Sequence, residues 1–317
     1  MWKLQDIEAA AQVVYREFQA TPQYRWALTS QRLGTECWIK HENHTPVGAF
    51  KIRGGLTYFE ALKARGELPA QVVSATRGNH GQSIGWAARA NGVSCTIVVP
   101  KGNSVEKNAA MRGLAVTLIE HGEDFQDARE FATQVAHERC AHMVPSFHND
   151  LVRGVATYWW EFFKAVPHME VAYVPIGMGS GAIAAITAKI ALRHRVKIVG
   201  VVSAHATSYA DSMVAGKVIA SPVTTQLADG MACRIADQEA LDVLIPHIER
   251  VIKVTDAECA EAMRNLYVDT HNVAEGAGAA AFAAAMQERA LIQGQVVGVT
   301  LCGGNVDAAV FAKVLTG

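Results

Sequence analysis

The feature that most restricts the fold is an alternation of short, unbroken apolar runs with longer stretches of helical periodicity. Residues 70–75 (AQVVSA), 94–99 (SCTIVV), 115–119, 171–174, 197–202 and 296–301 each read as a strand covered on both faces. Between them, residues 81–91, 105–112 and 125–139 read as helices, and an Ala-rich helix follows residue 181. Strand and helix in alternation imply right-handed crossover units on a mostly parallel sheet, an α/β chain. At 317 residues and 50% hydrophobic, the chain can bury one large core or two moderate ones.

Charge excludes several classes of partner. The formal net charge is -1, and no Lys/Arg block or basic-aromatic interleaving is present, so nucleic acid and anionic membranes are not expected partners. Residues 1–18 read as an amphipathic helix rather than a signal peptide, and no apolar stretch approaches a membrane span. Cys37, Cys95, Cys140, Cys233, Cys259 and Cys302 form no CxxC pair, which points to free thiols in a reducing, cytoplasmic compartment. No metal site is expected: His41 and His44 flank Glu42 and Asn43 outside the HExxH pattern and read as satisfied loop or surface groups.

The strand ends collect small and polar residues: TRGNHG from Thr76, GMGSG from Gly177 and CGGN from Cys302. Ligands of open α/β sheets bind at the carboxyl ends of strands, so three segments nominate one crevice. GMGSG joins a strand to a helix, and its backbone N–H groups, with Ser180, suit a phosphate. Gly177, Gly179 and Ala182 also fit a GxGxxA dinucleotide fingerprint, but the next strand ends in Val202, Ser203, Ala204 and His205, without the carboxylate that a ribose requires. In TPVGAFK, Lys51 follows a turn and Phe50 and precedes a helix beginning near Ile52. Desolvation and the positive helix end disfavour its ammonium form there, leaving a nucleophilic amine of the kind an aldehyde cofactor needs. A solvated surface lysine is the competing reading; the apolar flanks Ala49, Phe50 and Ile52 weigh against it.

Taken together and in this order, ENHTPVGAFKIRGG, TRGNHG, GMGSG, LADG and LCGGN resemble the fold-type II pyridoxal-phosphate enzymes, nearest to the threonine dehydratase and serine racemase group, from about Thr21 to Val306. The resemblance implies two open, twisted, mostly parallel sheets flanked by helices. A small domain (61–147) would be inserted in a large cofactor-binding domain (1–60 and 148–317), with the cleft between them. PSFHNDLVRG, near residues 145–154, supports that boundary. The resemblance also implies roles. Lys51 would hold pyridoxal 5′-phosphate through its amine and move protons, and Phe50 would pack near the ring. Asn79 would bond the phenolic oxygen, and Gly177, Met178, Gly179, Ser180 and Gly181 would hold the phosphate. Cys302 would face the pyridine nitrogen, where the family usually has Ser or Thr, and Gly230 and Glu275 would line the ring's other edge. Thr76, Arg77, Gly78 and His80 would bind the substrate. A homodimer is implied as well.

The chain departs from the family in four places. Arg77 stands where racemases have a serine and many dehydratases an alanine. VVSAHATS lacks the carboxylate ligand of the family's metal site. Ala49 replaces a serine, and the chain ends at Gly317 without room for a regulatory domain. The expected activity is elimination of water from a β-hydroxy-α-amino acid of the serine, threonine or 3-hydroxyaspartate type, giving a 2-oxo acid and ammonia. An amino-acid racemase is the alternative within the fold. A dinucleotide-dependent oxidoreductase and a catalytically silent binding protein lie outside that chemistry. For Arg77 two readings stand open: a structural or solvent-facing residue, or a bidentate clamp for an anionic substrate side chain.

Overall fold

The apolar runs do form strands, in a computed structural model that describes all 317 residues. The ten strands are β1 (Gln23–Arg25), β2 (Cys37–His41), β3 (Gln71–Ala75), β4 (Ser94–Val99), β5 (Thr117–Glu120), β6 (His142–Met143), β7 (Val171–Pro175), β8 (Lys197–Ser203), β9 (Arg250–Val254) and β10 (Val297–Leu301). They form a four-stranded sheet, β5-β4-β3-β6, and a six-stranded sheet, β1-β2-β10-β7-β8-β9. Every neighbouring pair is parallel except β1 with β2.

Side chains alternate across each strand, and both faces are buried. On the large sheet, Ala172 and Val174 pack with Trp159 and Phe162 of the Asn149–Ala165 helix and Ile183 of the Ser180–Leu192 helix. Val171 and Tyr173 face the other way, onto Met263 and Phe282 of the Asp256–Thr270 and Gly276–Gln287 helices. The small sheet repeats the arrangement: Val72 and Ile97 pack with Phe59 and Ile84, whereas Val73 and Val98 pack with Ala128 and Val135.

Differences from the sequence expectation are local and have physical causes. The run at 115–119 begins its strand only at Thr117, because Ala115 takes the left-handed backbone (φ 62°) that turns the chain out of the preceding helix. The TRGNHG helix begins at Asn79 rather than residue 81, since Gly78 (φ 153°) ends the turn there. His41 is not a loop or surface group: it is the buried last residue of β2, accepting a hydrogen bond from Trp26 Nε1 at 2.9 Å.

The position of β10 assembles the site. It lies between β2 and β7, with Leu301 level with His41 and Val299 level with Tyr173. The segments leaving β2, β7 and β10 therefore emerge side by side. Beyond β2 the chain turns on Thr45, whose hydroxyl accepts from the Ala49 N–H at 2.9 Å and donates to the Ala49 carbonyl at 2.8 Å. Residues 48–50 then pair with the end of β10: Phe50 N–H donates to Cys302 O (3.1 Å), Gly304 N–H to Gly48 O (2.9 Å), and Ala49 bridges Gly303. That pairing sets Lys51, the first residue of the Lys51–Ala64 helix, beside Cys302. A buried ionic cluster fixes the same helix from below. Arg53 donates to Glu42 at 2.7 Å and to Glu161 at 2.7 Å, and Lys40 reaches Glu161 at 2.6 Å.

Candidate active site

One cleft, with about 960 Å³ of free space including its mouth, opens at these strand ends. Every residue expected to hold the cofactor or the substrate lines it: Phe50, Lys51, Thr76, Arg77, Gly78, Asn79, His80, Gly177, Met178, Gly179, Ser180, Gly181, Gly230, Glu275 and Cys302. It is also lined by Lys107, Ser146, Tyr158 and Asp229, which sequence reasoning did not single out.

Lys51 is set deep among protein atoms yet remains reachable through the cleft. Its Nζ donates to Ser180 Oγ at 3.1 Å and lies 4.9 Å from the centre of the Phe50 ring. No carboxylate bonds it. Burial is the main cause that lowers its pKa from 10.5 to about 8, outweighing the opposing pull of Glu275.

Opposite the amine is the turn from β7 into the Ser180–Leu192 helix. Gly179 has φ 90°, and a Cβ on Gly177 would lie 2.4 Å from the Gly230 carbonyl oxygen, so both positions require glycine. The N–H groups of Gly177, Met178 and Gly179 donate to no other backbone group. The first N–H groups of the helix have no acceptor within it. This concave row of unpartnered donors, with the Ser180 hydroxyl, has the chemistry of an anion cradle.

The β3 turn contributes a second row. Thr76 Oγ accepts the N–H groups of Gly78 (2.8 Å) and Gly81 (3.3 Å), which holds the loop open while the Asn79–Ala90 helix begins. Asn79 donates to Glu275 Oε1 at 2.6 Å and accepts from Asn305 at 2.8 Å; Asn305 also bonds the Val47 carbonyl. The motifs after β2, β3 and β10 are thereby tied together at one point. His80 is buried with Nε2 unpartnered, and burial first, then the Lys51 charge, lower its pKa to about 3. It enters the cleft as neutral imidazole.

Lys107 crosses from the small sheet to the residues around the large one, lying 2.7 Å from Asp229 and 2.9 Å from Glu275. Burial disfavours its charge, but the two carboxylates outweigh that and raise its pKa. Burial pushes the Glu275 carboxyl up, and Asp229 adds to this against the pull of Lys107. A Cβ on Gly78 would lie 2.3 Å from Lys107 Cδ, so that glycine makes room for the crossing. Asp229 belongs to the LADG segment noted in the sequence. Lys107 carries no motif, and only the fold reveals it. Cys302 is buried, and burial raises its thiol far above the ordinary range, so it stays protonated.

These groups fit pyridoxal 5′-phosphate. The glycine turn offers orphaned donors for a phosphate, the Lys51 amine is free of salt bridges, and an uncharged thiol is available for a ring nitrogen. Comparisons with known proteins agree. A family model described as pyridoxal-phosphate dependent enzyme matches residues 14–303. The chain is 34% identical to an L-threonine ammonia-lyase of Geobacter sulfurreducens, over 90% of this chain and 71% of that protein. It is 26% identical to an L-threo-3-hydroxyaspartate ammonia-lyase of Saccharomyces cerevisiae, over 98% of this chain and 96% of that one. The structure of the processed form of threonine deaminase isoform 2 from Solanum lycopersicum superposes with a TM-score of 0.90 at 26% identity, covering 99% of this chain and 92% of that one. The dinucleotide reading of the glycine turn is overturned, and the chain belongs to the pyridoxal-phosphate dependent enzyme family.

Proposed function

We propose that this chain is an ammonia-lyase that removes water from a β-hydroxy-α-amino acid of the serine, threonine or 3-hydroxyaspartate type. One observation carries the reading: Lys51, with its amine unpaired to any carboxylate, stands between an orphaned row of anion donors and a neutral thiol. Pyridoxal 5′-phosphate, when bound, supplies the electron sink that makes an amino acid's α-hydrogen acidic.

The chain's own residues divide the remaining work. Gly177 to Gly181 would hold the phosphate, with Phe50, Gly230 and Glu275 around the ring and Asn79 near its phenolic oxygen. The protonated Cys302 thiol can make only a weak hydrogen bond to a ring nitrogen, which tempers the sink and favours rapid loss of the β-hydroxyl. The Thr76 to His80 loop, with its N–H groups, would receive the substrate carboxylate. The Lys51 amine takes the α-hydrogen, and the Ser180 hydroxyl 3.1 Å away orients it. The Lys51 ammonium so formed would return that proton to the β-hydroxyl, which departs as water. Hydrolysis of the released enamine consumes one water and frees ammonia, leaving the 2-oxo acid.

Racemization needs a second proton carrier on the face opposite Lys51. Arg77 stands at the loop position where racemases of this family have a serine, and a guanidinium stays protonated at working pH. Inversion is therefore at most a side reaction. The two sheets are taken as two domains, 1–60 with 148–317 and 61–147, in a cytoplasmic homodimer. The reading is tested by offering the loaded enzyme all isomers of serine, threonine and 3-hydroxyaspartate. Release of 2-oxo acid and ammonia in equal amounts, well ahead of chiral inversion, supports a lyase. Inversion without oxo acid refutes it.

A further inference from the structure

Apart from the Lys51 amine, one cation lining the cleft has no counter-charge. Lys107 is matched by Asp229 and Glu275. Arg77 is not matched: it is half-buried, it pairs with no carboxylate, and its buried Nε has no hydrogen-bond partner. The reading of Arg77 as paired with a protein carboxylate does not describe that environment, and its Nε is closed to solvent. Removing a guanidinium donor from water without replacing its bonds is unfavourable, so the position favours a ligand that supplies an acceptor.

The surroundings specify the ligand's charge. Arg77 lines the main cleft and also a neighbouring pocket that shares Phe125, Met178, Ala232 and Cys233 with it. That pocket adds Arg129 and Arg234. Its single carboxylate, Asp124, is engaged by Arg234 at 2.8 Å, which leaves Arg77 and Arg129 in excess. Arg77 also sits in the loop proposed to receive the substrate's α-carboxylate, within the reach of one small amino acid. Two carboxylate sites that close together suit a dicarboxylic substrate.

We propose that Arg77 is a specificity-determining residue that binds a second carboxylate, carried on the substrate's β-carbon, so that the preferred substrates are acidic β-hydroxy-α-amino acids of the 3-hydroxyaspartate class. The planar fork of the guanidinium matches a carboxylate bidentately, and Arg129 adds to the positive field drawing the anion in. This assignment rests on the lyase reading for its substrate but concerns binding alone.

The test uses ligands that cannot lose a β-hydroxyl. Aspartate and alanine, in both configurations, are titrated into the loaded enzyme, and binding is read from the cofactor's absorbance. One configuration of aspartate binds at least about tenfold more tightly than the matching alanine, as expected for charge-assisted bonds to a carboxylate. Arg77→Ala abolishes that preference; Arg77→Lys keeps the charge, loses the fork and retains only part of it. The cofactor's absorbance before any ligand is added serves as the control for a folded, loaded site, and the ratio of aspartate to alanine affinity is the readout. Aspartate binding no tighter than alanine in wild type, or a preference that survives Arg77→Ala, overturns the proposal. Because neither ligand carries a β-hydroxyl to lose, these titrations judge Arg77 independently of whether oxo acid is formed from any hydroxy acid.

Discussion

At the scale of single residues, the site depends on where protons rest. Lys51 is a lysine whose amine is half deprotonated at about pH 8, because burial penalises its charge more than Glu275 favours it. Only the free amine captures an aldehyde, so the rate of cofactor uptake by the empty protein should rise with pH and level off above about 8. A rise that continues toward the ordinary value of 10.5 would show a solvated lysine instead. Lys51 and Cys302 were both legible in the sequence, because each sits in a motif with characteristic neighbours. Lys107 was not, since its importance comes from two carboxylates more than a hundred residues away that the fold brings to it.

At the scale of elements, the loops do the chemistry and the helices behind them hold the loops in place. The Lys51–Ala64 helix is anchored by Arg53, which holds Glu42 and shares Glu161 with Lys40 in a cluster almost closed to water. Burial raises the Glu161 carboxyl, but Arg53 and Lys40 outweigh it, and its pKa in the folded chain is lowered. Its contribution to stability is complete above the ordinary carboxyl value of 4.5 and is lost as pH falls through the depressed folded value. Glu161→Gln should cost about 3 kcal/mol at neutral pH, since it leaves buried cations short of an anion. Urea unfolding reads this, and a loss below about 0.5 kcal/mol would mean that the cluster is not coupled to folding. The turn after β8 makes a different prediction. Ser203, Ala204, His205, Ala206 and Thr207 offer no carboxylate, and hydroxyl and carbonyl oxygens alone bind a hard dication weakly. Activity should be unaffected by chelator; saturable activation by magnesium or calcium would contradict this. Strands with continuous apolar runs were readable to within two residues. β1, β2, β6 and β9 were not recognised: β6 has two residues, β1 and β9 are edge strands with partly exposed side chains, and β2 carries Lys40 and His41 into the interior.

At the scale of the whole molecule, the chain builds two sheets and closes a cleft over them with a few long-range polar links. Asn79 and Lys107, from the small-sheet segment, both end on Glu275, and Ser104 bonds Asp307. The parallel topology and the convergence of three glycine-containing turns followed from strand–helix alternation. The insertion of β10 between β2 and β7, which sets Lys51 beside Cys302, is a matter of topology that periodicity does not encode. The central claim is that this architecture exists to present the Lys51 amine to pyridoxal 5′-phosphate. The direct measurement is to load the protein with the cofactor, fix it to its amine with sodium borohydride and map the modified peptide. One pyridoxyl group per chain is expected, on Lys51, and none on a Lys51→Ala variant that remains folded. Modification of another lysine, or stoichiometric labelling that survives Lys51→Ala, would contradict it.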